Sequence, residues 1–197
     1  MSISGSGSSP KPLERVMIFI DGGYIRKLFH ELFNNDKIDF TKVSQDLLHG
    51  YNNWQPNPHR ANLIRIYYFD GIADPKDDPE THFEQREYFE TLEKSNQNLD
   101  INLGEAVKTR KGNFRQKGVD ILLTIDALSM AYENLYDSGL FLLGDRDFIP
   151  LIQAVKNTGK KTFGFYYNEK VAKELSTTFD FRIAFDKEIM KKWLKEE

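Results

Sequence analysis

Apolar residues cluster in short continuous runs, and between them lie longer stretches in which they recur every three or four positions. VMIFI (16–20) and LFLL (140–143) are fully apolar, and KTFGFYY (161–167) is mostly aromatic. Such runs, bounded by turn formers, are the pattern of strands buried on both faces in the middle of a parallel sheet. ANLIRIYYFDG (61–71) and LDINLGEAV (99–107) alternate in part, and the C-terminal stretch alternates again. Ile25, Leu28, Phe29 and Leu32 share one face of a helix that follows Asp21-Gly22-Gly23 and runs to about Phe33. Val43, Leu47 and Leu48 predict a second helix over 41–48, and Pro79-Glu80 suits the opening of a third over 80–95. Further helices are expected over 119–136, over 147–157 with a stop at Gly159, and over 186–195. YNNWQPNPHR and ADPKDDPE read as loops. Strands separated by helices predict a three-layer α/β/α sandwich with a mainly parallel central sheet.

A chain of 197 residues, 40% hydrophobic, is enough for one core, so residues 16–197 are expected to form one domain. Residues 1–15 read as a flexible tail that lacks the apolar stretch of a signal peptide. No apolar run is long enough to span a membrane, and a soluble cytoplasmic protein is the expectation. The absence of cysteine removes disulfides, thiolate zinc sites and cysteine nucleophiles. His30, His49, His59 and His82 lack zinc-ligand spacing. With a net charge of −3, contact with nucleic acid would need a local basic patch.

Acids recur where apolar runs end. Asp145 and Asp147 stand in LFLLGDRDFIPLI, where a strand gives way to a helix, and Asp21 ends MIFID. Asp120 and Asp126 lie in KGVDILLTID, on the early turns of a helix. The ordinary roles for such residues are helix N-caps and first-turn acids that offset the helix dipole. Side chains at strand ends also face a shared crevice in an α/β sheet, so several of these acids can meet. Crowded carboxylates raise one another's pKa unless a cation neutralises them, and an oxygen-only set suits Mg²⁺ or Mn²⁺. That chemistry serves phosphodiester hydrolysis. Asp126 lies six residues beyond Asp120, roughly 240° around a helix. The two cannot serve one ion from a regular helix, and Asp126 is expected to be partly buried with a partner, supporting the ligands from behind. Asp70 precedes a glycine and reads as a turn residue. Glu84, Glu87, Glu90 and Glu93 read as a solvated helix face.

Lys108, Arg110, Lys111, Arg115 and Lys117 fall in a ten-residue segment without an acid, with Phe114 among them. Lysine and arginine neutralise phosphates and an aromatic ring stacks on a base, so this segment is a candidate RNA-binding rim beside Asp120. The ordinary alternative is a solvated loop.

FIDGGYIRK, LGEAVKTRKGNFRQKGVDILLTIDAL and LFLLGDRDFIPLIQAVKNTGKKTFGF together resemble the NYN domain of the LabA/DUF88 group, within the PIN-like nucleases. The resemblance spans about Val16 to Phe165 and implies a parallel sheet of about five strands. It also implies metal-dependent cleavage of RNA, leaving 5′-phosphate and 3′-hydroxyl ends. By motif, Asp21, Asp120, Asp145 and Asp147 correspond to the family's metal-binding and catalytic aspartates, with Mg²⁺ or Mn²⁺ as the ion. The chain departs from the pattern at Tyr24, where many members carry asparagine; its phenol can still hydrogen-bond a phosphate.

The expected function is therefore a Mg²⁺- or Mn²⁺-dependent ribonuclease acting on single-stranded RNA. The alternative is a nuclease-like module, weak or inactive in catalysis, that binds RNA or a protein partner in regulation. A phosphotransferase with an aspartyl nucleophile ranks low, because Gly23 stands where such enzymes carry a second aspartate. A homodimer is an open expectation, since related folds often dimerise, although no sequence patch shows one.

Overall fold

The computed structural model describes residues 13–35, 37–54, 61–108 and 114–195, with the side chains of 107, 108 and 114–116 outside the description. In chain order the elements begin with β1 (Glu14–Asp21), α1 (Gly22–Phe33), α2 (Phe40–Asn53), β2 (Ala61–Ala73) and α3 (Pro79–Ser95). They continue with β3 (Leu99–Lys108), β4 (Phe114–Lys117), α4 (Val119–Tyr132), β5 (Ser138–Leu142) and α5 (Ile149–Asn157). The last are β6 (Lys161–Tyr167), α6 (Lys173–Ser176), β7 (Phe181–Phe185) and α7 (Lys187–Lys192). Turns of 3₁₀ helix cover Arg146–Phe148 and Asn168–Lys170.

Alternate residues of β1 enter different cores. Val16, Ile18 and Ile20 are buried on one face with side chains from α1, α2, α3 and α7. Met17 and Phe19 are buried on the other with side chains from α4, α5 and α6. A strand apolar on both sides requires helices above and below it, and the three-layer α/β/α sandwich follows. The sheet order is β4-β3-β2-β1-β5-β6-β7. Six strands are parallel, one more than the resemblance implies, and β4 is antiparallel to β3 at the edge. The parallel part has the doubly wound Rossmann order: the chain builds outward from β1 to β3, then returns to β5 and builds the other way.

Several boundaries differ from the sequence expectation, each for a visible reason. α2 continues to Asn53, into the stretch expected to be loop, because Tyr51 is buried edge-on against Phe163 with ring centroids 4.8 Å apart. Residues 55–60 of that stretch lie outside the described residues. α4 stops at Tyr132, four residues early, where Asn134 takes a left-handed φ of 57° and the Leu135 N–H bonds the Met130 carbonyl at 2.9 Å. That is a Schellman stop. β2 runs on through Asp70 to Ala73, so Asp70 is a strand residue rather than a turn. β4 was expected only as part of a basic segment; short and at the edge, it closes the sheet on that side. Glu84, Glu87, Glu90 and Glu93 are exposed on α3. The tail expected over 1–15 falls, as far as residue 12, outside the described residues. Among the described residues no helix is long and apolar enough to cross a membrane.

Trp193 follows α7 and fastens it to the first face. It is buried, its indole N–H donates to Asp46 Oδ2 at 2.7 Å, and its ring packs edge-on against Phe185 with centroids 4.8 Å apart. Trp193→Ala is expected to lower stability by about 3–5 kcal/mol, the range for emptying a large buried aromatic site. The midpoint of urea unfolding checks this, and a shift no larger than that of a surface substitution would contradict the packing.

Candidate functional site

The reversal of strand order at β1 opens a crevice beyond the C-terminal ends of β1 and β5, where doubly wound sheets bind their ligands. Asp21 is the last residue of β1, and strand alternation puts it on the α4 side with Met17 and Phe19. It is 7% exposed. Its Oδ1 accepts the Tyr24 N–H at 3.1 Å, so it also caps α1. Burial pushes its carboxyl up to about 7; the charges of Asp120 and Asp70 add to this, and the N–H bonds from Tyr24 and Gly23 oppose it. Gly22 lets α1 start against β2: a Cβ there would meet the Phe69 carbonyl oxygen and the Tyr68 ring at 2.6 Å.

Asp120 arrives from the opposite layer. The residue capping α4 is Gly118, with a left-handed φ of 79° and no side chain to bond the first turn. Asp120 lies within that turn and is therefore not spent as the cap. Its carboxyl is raised by loss of hydration against the cleft wall, then by Asp145 and Asp147. Asp145 follows β5 by way of Leu143 and Gly144, and its Oδ1 accepts the Asp147 N–H at 3.0 Å to cap the 3₁₀ turn. Capping and clustering are thus compatible roles for Asp21 and Asp145.

Asp21, Asp120 and Asp145 line one open cleft of about 340 Å³, together with Tyr24, Lys27 and Lys170. Asp147 is exposed beside the cleft and acts on Asp120 through its charge. Asp126 does not reach the cleft; it is half-buried and raised by loss of hydration. Among the described residues it makes no hydrogen bond or ion pair. Tyr24 spans from α1 to β6, where its Oη accepts the Tyr167 N–H at 3.0 Å. Its ring covers Gly144 so closely that a Cβ there would collide with it.

Of the basic segment, Arg110 and Lys111 lie outside the described residues, as do the side chains of Lys108, Phe114 and Arg115. Lys117 is exposed at the end of β4. β3 and β2 separate β4 from β1, and the segment meets the cleft through Gly118 and the first turn of α4.

Sequence reasoning missed Lys27 and Lys170 and read Asp70 as a turn residue. Lys27 sits on α1 three residues beyond Tyr24, a spacing that gives a weak local signal. Lys170 comes from the turn after β6 and pairs with Glu31 at 2.8 Å, which no local pattern could reveal. Asp70 is fully buried; its Oδ1 meets Arg26 Nη2 at 2.5 Å and the Gly71 N–H at 2.7 Å, and its Oδ2 accepts the Tyr68 hydroxyl at 2.6 Å. An acid inside an apolar strand was the available signal for that network.

The sequence profile of the NYN domain matches residues 15–186, which include every acid of the cleft. The chain belongs to the NYN domain family. NYN domains are a PIN-like nuclease family, and PIN-like nuclease domains generally use divalent metals. The fold is similar to the crystal structure of a protein of unknown function from Vibrio parahaemolyticus, with a TM-score of 0.63 at 19% identity over 91% of this chain and 98% of that one. A weaker likeness, to Acinetobacter baumannii MurG, has a TM-score of 0.42 at 14% identity over 88% of this chain and 42% of that one, too low to carry an argument. No curated protein matches the chain in sequence.

The raised carboxyl of this NYN domain makes its stability depend on pH. Between about pH 4 and pH 7 the folded protein holds a proton on Asp21 that the unfolded chain has lost, so stability falls as pH rises through that window. Asp21→Asn keeps the cap and removes the charge. In EDTA at pH 8 it is expected to be more stable than wild type by about 2–4 kcal/mol, and the difference should vanish near pH 4. Urea unfolding at the two pH values measures this; a wild type more stable than the variant at pH 8 would contradict it.

Proposed function

We propose that this NYN domain, of the LabA/DUF88 group, is a Mg²⁺- or Mn²⁺-dependent endoribonuclease that hydrolyses single-stranded RNA in the cytoplasm. The observation that supports it is the meeting of Asp21, Asp120 and Asp145 with Lys27 and Lys170 in one cleft at the switch point of the sheet. The donor set fits a hard divalent cation, being carboxylate only and deficient in positive charge around the buried Asp21. Among the described residues no three acidic or histidine side chains already stand close enough to share an ion. Asp120 and Asp147 are exposed and their side chains make no cap, so their rotamers can close that gap toward Asp21 and Asp145.

Asp21, Asp120, Asp145 and Asp147 would hold the ion. A bound ion supplies Lewis-acid activation of the phosphodiester and of water. The chain's own groups do the rest. Lys27 makes no ion pair among the described residues and is available to a phosphate. Lys170, held by Glu31, places a second ammonium at the cleft wall. The Tyr24 oxygen already accepts the Tyr167 N–H, so its remaining role is to donate, and burial keeps the phenol protonated. Tyr24 thus offers a phosphate oxygen one hydrogen bond. Lys108, Arg110, Lys111, Phe114, Arg115 and Lys117 would track the strand beyond the cleft.

A second reading, an RNA-binding module without turnover, is favoured by one feature. The Tyr24 ring fills the space over Gly144 and its oxygen is tied to β6, leaving no amide there to place a water or phosphate.

Cleavage of a labelled single-stranded RNA is expected with Mn²⁺ or Mg²⁺ and not with EDTA, and to fall on the order of 100-fold in Asp145→Asn and in Asp21→Asn. Lys27→Ala should weaken RNA binding and reduce the slope of log affinity against log salt by about one. Folded wild type that binds RNA with salt dependence but leaves it intact with either metal would establish the second reading. Cleavage undiminished in both aspartate variants would overturn the metal site.

A further inference from the structure

Among the described residues that line the acidic cleft, Lys27 and Lys170 are the cations, and one of them is already engaged. Lys170 Nζ lies 2.8 Å from Glu31 Oε2, near the end of α1. Glu31 itself is outside the cleft lining. It stands four residues beyond Lys27, one turn along the same face of the helix. Its carboxyl is held below the usual range by the bond from Lys170, then by the charges of Lys170, Lys27 and His30, against some loss of hydration. One carboxylate therefore draws on both cleft cations, as an incoming phosphate would.

The ion pair is not needed to hold the backbone of Lys170. The turn Asn168–Lys170 is fastened on both sides: the Tyr167 N–H donates to Tyr24 Oη at 3.0 Å, and the Ala172 N–H to the Gly144 carbonyl at 2.9 Å. The paired side chains of Lys170 and Glu31 keep 48% and 35% exposure. A pair so open to water is weak and readily exchanged. Lys156 shows the contrast, bonding the Thr178 carbonyl at 2.9 Å as well as Asp180 at 3.0 Å. Among the described residues Lys170 bonds Glu31 alone. It can leave that partner by side-chain rotation while its backbone stays at the cleft.

We propose that Glu31 is an internal competitor for the cleft, holding Lys170 until an RNA phosphate displaces it. Glu31 is then a positioning residue, which acts through Lys170 and sets the affinity of the cleft for RNA. This rests on the reading of the cleft as an RNA site, and it holds whether or not the bound strand is cut.

Labelled single-stranded RNA tests this in two ways: affinity by fluorescence anisotropy in EDTA at low salt, and KM and kcat for cleavage with Mn²⁺. Glu31→Gln is expected to tighten binding about 2- to 5-fold, and to lower KM by the same factor with kcat unchanged. In proteins that also carry Lys170→Met, that gain should disappear. Glu169→Gln, one residue from Lys170, removes the same charge without touching the pair and should change affinity less. The midpoint of urea unfolding should be the same in Glu31→Gln and wild type. Wild type that binds RNA as tightly as Glu31→Gln overturns the proposal and leaves the RNA site standing. An equal gain from Glu169→Gln, or one that persists with Lys170→Met, overturns it as a general effect of charge. A Glu31→Gln protein that unfolds markedly more easily makes the pair structural and overturns it too. Failure of wild type and every variant to bind or cut RNA refutes the RNA site itself, and the proposal with it.

Discussion

The structure depends on the burial of β1 from both sides. Val16, Ile18 and Ile20 on one face and Met17 and Phe19 on the other leave no side of the strand that tolerates water. Helices must then cover both faces, and right-handed crossovers allow this only if the chain builds one half of the sheet, returns to β1 and builds the other half in the opposite direction. The return separates the connections after β1 and β5 and opens the crevice between them. Asp21 ends a strand buried from both sides, so the fold that creates the crevice also strips its carboxylate of hydration.

The acids of the cleft are held by the same contacts that begin its helices. Asp21 caps α1, Asp145 caps the 3₁₀ turn before α5, and Gly118 starts α4 without a side-chain cap, leaving Asp120 uncommitted. Asp70 shows the contrasting solution one strand away. It is more deeply buried than Asp21, yet Arg26, Tyr68 and the Gly71 N–H satisfy it completely enough to make it structural. Two buried acids on neighbouring strands thus meet opposite fates, Asp70 partnered by an arginine and Asp21 left with a raised carboxyl.

Legibility in the sequence followed the range of the interactions. The strands with continuous apolar runs, and the helices with a clear apolar stripe such as α1, were readable because each residue's fate is decided within one or two turns of chain. Asp21, Asp120, Asp145 and Asp147 were readable as strand-end and helix-start acids for the same reason. α2 ran past its expected end because Tyr51 packs on Phe163, more than a hundred residues away, which no local pattern encodes. Lys170 reaches the cleft from the far half of the sheet and was invisible in the same way. Asp70 was misread by a local rule that was right about Asp-Gly turns in general but blind to the pairing of Asp70 with Leu103 on β3, which keeps β2 extended.

Close approach between glycine and aromatic rings sets the shape of the cleft. Gly22 admits the Tyr68 ring and the Phe69 backbone, and Gly144 admits the Tyr24 ring. Each glycine stands beside a cleft aspartate, so a side chain at either would have to push aside the ring or carbonyl that lies on it. Tyr24 then joins the two halves: its N–H bonds Asp21, its ring lies on Gly144, and its hydroxyl oxygen accepts the Tyr167 N–H on β6. An asparagine at this position is too short to make all three contacts. Tyr24 is therefore a strut across the cleft, tying the end of β1 to Gly144 and to β6.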